Sequence, residues 1–120
     1  MLDLQNIGNF LLMVMGISFL IFMHELGHFL AARLFKVRVE IFSVGFGPRL
    51  FGRRRGDTDY RLSAIPLGGY VKMLDEREGP LAPEDRERSF QSRPPLARIG
   101  VLLAGPGFNF LFALVAFWVL

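Results

Sequence analysis

Residues 4–35 read LQNIGNFLLMVMGISFLIFMHELGHFLAARLF, and this stretch decides the fold. From Ile7 to Met23 it is almost continuously apolar, broken only by Gly8, Asn9, Gly16 and Ser18, and apolar character resumes from Phe29 to Phe35. About 20 residues of helix cross the core of a bilayer, so a proline-free helix over roughly Leu4–Phe35 spans it with some excess. What interrupts the run is a polar cluster, His24, Glu25 and His28, in the half of the helix nearest its first basic residue, Arg33.

The far end of the chain is similar. Ile99 to Leu120 is apolar, and Asn109 is its only side chain with strong hydrogen-bonding groups. Gly105-Pro106-Gly107 weakens its helical propensity, which is tolerated at membrane depth where neighbouring protein or a cavity satisfies the freed backbone groups. The run ends at Leu120 without a polar flank, so the chain is expected to be a fragment of a longer protein.

Between these ends lie all 14 Lys and Arg residues, from Arg33 to Arg98. Two apolar ends flanking a basic middle predict two membrane spans with a cytoplasmic connector and an amino terminus that faces outward. Arg33, Lys36 and Arg38 hug the first span, and Arg93 and Arg98 the second. A cleavable signal peptide fits poorly, because a basic n-region and a small-residue cleavage site are both missing. The net charge of +3 invites a nucleic-acid reading, but its distribution argues against one. Hydrophobic residues make up 52% of 120, too many for an ordinary soluble domain of this size. With no cysteine, disulfides and thiolate metal sites are excluded, and any metal must sit on nitrogen and oxygen.

The connector opens with β-branched residues, Val37, Val39, Ile41 and Val44, alternating with Arg38 and Glu40, which predicts a strand. Gly45-Phe46-Gly47-Pro48 reads as a turn. A further pair of strands is expected around 49–54 and 60–65, joined by Gly56-Asp57-Thr58. Pro66-Leu67-Gly68-Gly69 is another break, before an extended run Tyr70–Leu74. Residues 75–98, rich in Asp, Glu, Arg and Pro, read as a solvated linker with one helical turn near 84–88.

His24-Glu25-Leu26-Gly27-His28 is the pattern that carries chemistry. On a helix, histidines at i and i+4 lie on one face, so both imidazoles can reach one zinc ion (Zn2+) at about 2.0–2.1 Å. The glutamate projects beside that face and can take a proton from a water held by the metal. Ionisable groups in a bilayer cost roughly 2.5–3.5 kcal/mol each even on the lenient insertion scale, so three on one turn need a common partner. A divalent cation supplies it. A catalytic zinc takes three protein ligands, yet the chain has only these two histidines, and its second apolar run has no Asp or Glu. The connector acids read as solvated, with one of them as the other candidate, so the third ligand is expected outside this sequence.

Four motifs in order resemble the site-2 protease family of intramembrane zinc metalloproteases, and within it the bacterial regulator-of-sigma-E protease group. They are His24–His28, Ser43-Val44-Gly45-Phe46-Gly47-Pro48, Pro66-Leu67-Gly68-Gly69-Tyr70-Val71-Lys72-Met73 and Gly105-Pro106-Gly107-Phe108-Asn109-Phe110. The resemblance implies a protease of the bacterial inner membrane that cuts single-span proteins, such as shortened anti-sigma factors and leftover signal peptides, within their membrane segment. It also implies a third zinc ligand, an aspartate in a later span, and one or two PDZ domains between the second and third spans. This chain alone is then expected to be inactive.

Within the family, the region after the first span is a membrane-reentrant β-structure that contacts substrate. The run Gly68-Gly69-Tyr70-Val71-Lys72 is the candidate edge for holding an extended substrate strand, with an ordinary cytoplasmic hairpin as the other reading. Asn109 is a candidate for supporting the active site or, equally, a helix–helix hydrogen bond. Arg53-Arg54-Arg55 reads as a topology determinant and a contact for anionic lipid headgroups.

The expected architecture is a membrane α-helical one: a first transmembrane helix over 1–35, a β-region over 36–74, a polar linker over 75–98 and a second helix over 99–120. Zinc-dependent intramembrane proteolysis is the expected function. The rival is a non-catalytic scaffold or degenerate relative that binds lipid or partner helices, with a metal transporter or sensor as a third option. The glutamate between the histidines argues against both, because holding a metal needs no base.

Overall fold

The computed structural model describes residues 3–120, and of Pro66 and Glu78 the backbone alone; residues 1 and 2 of the expected first segment lie outside the described residues. Helix α1 runs Leu4–Leu34 and helix α2 runs Pro95–Val119, with strands β1 (Val39–Arg55) and β2 (Thr58–Met73) between them. Both helices are long and apolar enough to cross a membrane.

Local signals set the ends of α1. The Asp3 carboxylate accepts from the Asn6 backbone N–H at 2.8 Å, which caps the amino terminus. At the other end Lys36 N–H donates to Arg33 O and Val37 N–H to Ala32 O, the double bond of a Schellman cap. Lys36 occupies the left-handed position of that cap with φ 63°, where glycine is the less strained residue. Helix α2 begins one turn before the apolar run, with Pro95 in its first turn, where the missing N–H leaves nothing unsatisfied. It continues through Pro106.

The four extended runs expected from the sequence merge into two long, bent strands. Gly45 and Gly47, with φ of 90° and 87°, bend β1, and Gly68, with φ 79°, bends β2. The outer parts pair as a hairpin, with Arg55 opposite Thr58, Arg53 opposite Tyr60 and Phe51 opposite Leu62. The first part of β1 pairs with the last part of β2, with Phe42 opposite Val71 and Val44 opposite Gly69. Its other side lies against Asp59–Leu62 (Phe42 opposite Tyr60, Val44 opposite Leu62). The segment 39–44 is thus central, and among the described residues 69–73 has a partner on one side only.

This sheet lies along the carboxyl-terminal half of α1. The core joins Phe29 and Ala32 of the helix to Val37, Val39 and Phe42, with Phe22, Leu26, Tyr60, Val71, Met73 and Phe90 packed around them. Phe42 meets Phe29 at 4.8 Å between ring centroids and Phe22 at 5.9 Å. Leu34 lies thirteen residues beyond Ile21, so the sheet flanks the last ~20 Å of α1.

Its two ends differ in character. The bend carries exposed Phe46, Leu50, Phe51, Ile65 and Leu67, whereas the turn end carries Arg53, Arg54, Arg55 and Asp57.

The connector after β2 is tied down more firmly than its charge suggests. Phe90 N–H donates to Leu74 O, Arg38 N–H to Arg88 O, and Ser89 is fully buried. Two apolar residues, Leu74 and Phe90, pull it onto the sheet. Arg77 holds the Asp75 carboxyl well below the ordinary carboxylate range, and Arg88 of the connector lowers that of Asp57 in the turn between β1 and β2.

Candidate metal centre

The two histidines converge, with His24 Nε2 and His28 Nε2 2.9 Å apart and the rings at 83°. Two nitrogens each about 2.0–2.1 Å from one tetrahedral ion stand about 3.3 Å apart, so the pair lies within a few tenths of an ångström of ligand spacing. The second nitrogen of His28, Nδ1, lies 2.8 Å from the backbone carbonyl of Val101 on α2. A carbonyl only accepts, so Nδ1 carries the proton and Nε2 keeps its lone pair toward the centre.

Helix α2 reaches this site because glycine lets it. A Cβ on Gly105 would stand 2.4 Å from His28 Nε2 and 2.8 Å from His24 Cε1. On the facing helix, a Cβ on Gly27 would stand 2.1 Å from Ala104 O, and one on Gly100 would meet Phe35 at 2.8 Å. Small residues on both helices bring the backbones close, the usual means of tight packing between apolar helices. Phe19 and Phe112, with centroids 5.0 Å apart, continue the contact further along both helices.

Glu25 is half-buried on the same turn. Ile21, Glu25 and His28 are spaced i, i+4, i+7 and so form one stripe of α1. Gly68 of β2 packs against the head of that stripe, where a Cβ would stand 2.8 Å from Ile21 Cγ2. Glu25 and one imidazole therefore lie on a stripe that also meets the singly paired end of the sheet.

The remaining sequence candidates separate in space. Tyr70, Val71 and Lys72 lie in the segment of β2 that pairs with β1 on one side only. Tyr70 stacks on Phe46 with centroids 6.0 Å apart, and Lys72 Nζ lies 3.6 Å from Glu40. The close approach that Gly69 permits is to β1, where a Cβ would stand 2.3 Å from Ser43 O. Asn109 sits one turn beyond Gly105 on α2, and its Oδ1 is enclosed without a hydrogen-bond donor among the described residues. No third His, Cys, Asp or Glu joins the pair into a metal-holding group among the described residues. Donor type, spacing, tautomer and clearance at the histidines nonetheless suit zinc.

Two participants carry no sequence signal of their own. The Val101 carbonyl is backbone, and Gly105 looked like a helix breaker rather than a neighbour of the histidines.

The family model described as peptidase family M50 matches residues 12–120. Protease RseP of Yersinia pestis is 52% identical over 106 residues, which is 88% of this chain and 24% of that protein. Regulator of sigma-E protease RseP of Salmonella typhimurium is 47% identical over 116 residues, covering 96% of this chain and 26% of that one. A Campylobacter jejuni protein named as a candidate zinc metalloprotease is 50% identical over 106 residues, covering 88% of this chain and 29% of that protein. The chain spans about a quarter of the length of these relatives. Its motifs, its paired histidines and the match over nearly its whole length make it a member of peptidase family M50.

Proposed function

We propose that this chain supplies the general base and two metal ligands of a zinc-dependent protease that cleaves single-span proteins within the membrane. The observation that carries the reading is the pair of converging Nε2 atoms 2.9 Å apart, with Glu25 on the same turn of an apolar helix. His24 and His28 would hold the zinc, which would supply Lewis acidity to a scissile carbonyl and to water. Glu25 takes the proton of the attacking water and returns it to the leaving amine. Val101 holds the His28 ring in the orientation that ligation needs. The third ligand comes from a later span of the same protein, whose PDZ domain or domains are further partners.

The surface supports a membrane placement. Along α1 the side chains of Phe10, Leu11, Leu12, Met13 and Met15 are exposed, as are Phe110, Leu111, Phe117 and Trp118 on α2. An apolar surface of that extent suits lipid and neighbouring spans rather than water. With 36–98 on the cytoplasmic side of a bacterial inner membrane, the sheet flanks α1 from its cytoplasmic end inward. Its exposed apolar bend then dips into the bilayer, and its arginine-rich turn stays at the surface.

A substrate helix hides its peptide bonds and must be drawn out before hydrolysis. The open side of 68–72 suits this task, because a strand added there has its backbone satisfied and runs beside the stripe of Glu25 and His28. Asn109, an enclosed acceptor, suits a backbone N–H of the bound strand. Anti-sigma factors and signal-peptide remnants are the substrate class. The rival, a non-catalytic scaffold, leaves Glu25 without a role.

Metal removal tests the reading. The intact protein in detergent, freed of zinc by a chelator, should lose cleavage of a single-span substrate and regain it when zinc is restored. Unchanged cleavage by the metal-free protein would defeat the proposal.

A further inference from the structure

Beside the carboxyl end of α1, the fold builds a cavity of about 1220 Å³ that the proteolytic reading leaves unused. Its lining includes Arg33, Lys36, Arg38, Arg53, Arg55 and Arg88, with Asp57 as the one acid. These six cations come from three separate parts of the chain. Arg33 and Lys36 belong to the helix end. Arg53 and Arg55 are carried back to it by the β-turn, and Arg88 is brought in by the hydrogen bond from Arg38 N–H to Arg88 O. Strand alternation puts Arg53 and Arg55 on one face and Arg54 on the other, so only the first two line the cavity.

The charges do not cancel. Arg38 pairs with Asp85 at 3.3 Å, and Arg88 pairs with Asp57. Arg33, which lies 5.7 Å over the Phe29 ring, and Lys36, Arg53 and Arg55 make no salt bridge among the described residues. Arg38, also in the lining, has its Nε enclosed without a hydrogen-bond partner among the described residues. Lys36 adds an independent sign. Its backbone has φ 63°, where glycine would relieve strain, yet the position carries a cation that faces the cavity.

We infer that this cavity binds the phosphodiester headgroup of an anionic lipid at the cytoplasmic face. The guanidinium and ammonium groups supply bidentate and point-charge donors to phosphate oxygens. Depth favours a lipid over a soluble phosphate, because Arg33 sits in the last turn of an apolar helix, at the level of the headgroups. A lipid held there would steady the turn end of the sheet while the opposite end reaches towards Ile21. This inference rests on the membrane placement proposed above, but its readout is lipid binding, which a catalytically dead protein would still show.

The test titrates the intact protein in detergent with dioleoyl phosphatidylglycerol and follows retained lipid by native mass spectrometry. Phosphatidylcholine and inorganic phosphate serve as the other arms. Each cation removed should weaken phosphatidylglycerol binding about fivefold, so the double variant R53Q/R55Q should lose about 25-fold. Lys36→Gly should lose about fivefold, and because glycine accepts its φ that variant keeps the fold. Arg54→Gln, off the cavity, should stay within about twofold of the parent. An equal loss in Arg54→Gln, or equal retention of phosphatidylcholine, would overturn the site. Displacement of the lipid by micromolar inorganic phosphate would overturn the choice of ligand.

Discussion

Replacing Glu25 by Gln in the intact protein should leave zinc content near that of the parent while cutting the rate of substrate cleavage by about 10²–10⁴-fold, the range of a lost general base. The glutamine keeps the size and the hydrogen-bonding shape of the side chain but cannot take a proton near neutral pH. Because the two imidazoles and the Val101 carbonyl are untouched, metal binding should survive. Metal analysis and cleavage of a single-span substrate, measured on one preparation, separate the two effects. A variant that still cleaves at the parent's rate would remove Glu25 from the mechanism. A variant that loses its zinc would make the carboxylate a ligand or a support instead of a base.

The second large effect is expected at a residue with no side chain. Gly105→Ala places a Cβ 2.4 Å from His28 Nε2 and 2.6 Å from its Cε1, well inside van der Waals contact. Neither ring can retreat easily. His28 is tethered to Val101, and His24 stands 2.9 Å from His28 on the same face. Either the helices separate and the hydrogen bond to Val101 breaks, or the histidines turn away from each other. Both weaken zinc binding, by at least the 10–100-fold typical of a lost orienting contact, and cleavage should fall with it. Gly107→Ala is the matched control, since no atom lies within 4 Å of its Cβ position. Equilibrium zinc binding with a competing chelator measures the difference. Equal affinities for the two alanine variants would show that α2 does not abut the metal centre.

Much of this architecture could be read from residue order. The two apolar ends and the confinement of every Lys and Arg to 33–98 marked the two long helices, and the i, i+4 spacing put His24 and His28 on one face. The glycines at 45, 47 and 68 were legible as breaks, because only residues tolerant of positive φ suit such bends. Their outcome was not. Whether a glycine ends a strand or bends it depends on what packs against it, and here Ile65 lies against Gly47 and Ile21 of α1 against Gly68. The same limit hid the relation between α2 and the histidines. Gly105 and Pro106 looked like weak points of a helix, whereas the lack of a Cβ at 105 is what admits the imidazoles. A backbone carbonyl such as that of Val101 has no sequence signature, so the group that orients His28 is visible only in three dimensions. How the connector is held against the sheet is hidden for a related reason. Ser89 and Phe90 are two residues among many polar ones, yet their burial ties the segment to the sheet and brings Arg88 to the basic cavity.

The central claim is that His24 and His28 are zinc ligands through Nε2. X-ray absorption at the zinc edge of the intact, zinc-loaded protein tests it most directly. The expected spectrum shows imidazole scattering from two histidines with nitrogen at about 2.0–2.1 Å, oxygen in the remaining positions, and loss of that imidazole signal in the His24→Ala, His28→Ala variant. A spectrum without imidazole, or one unchanged in the double variant, would contradict it.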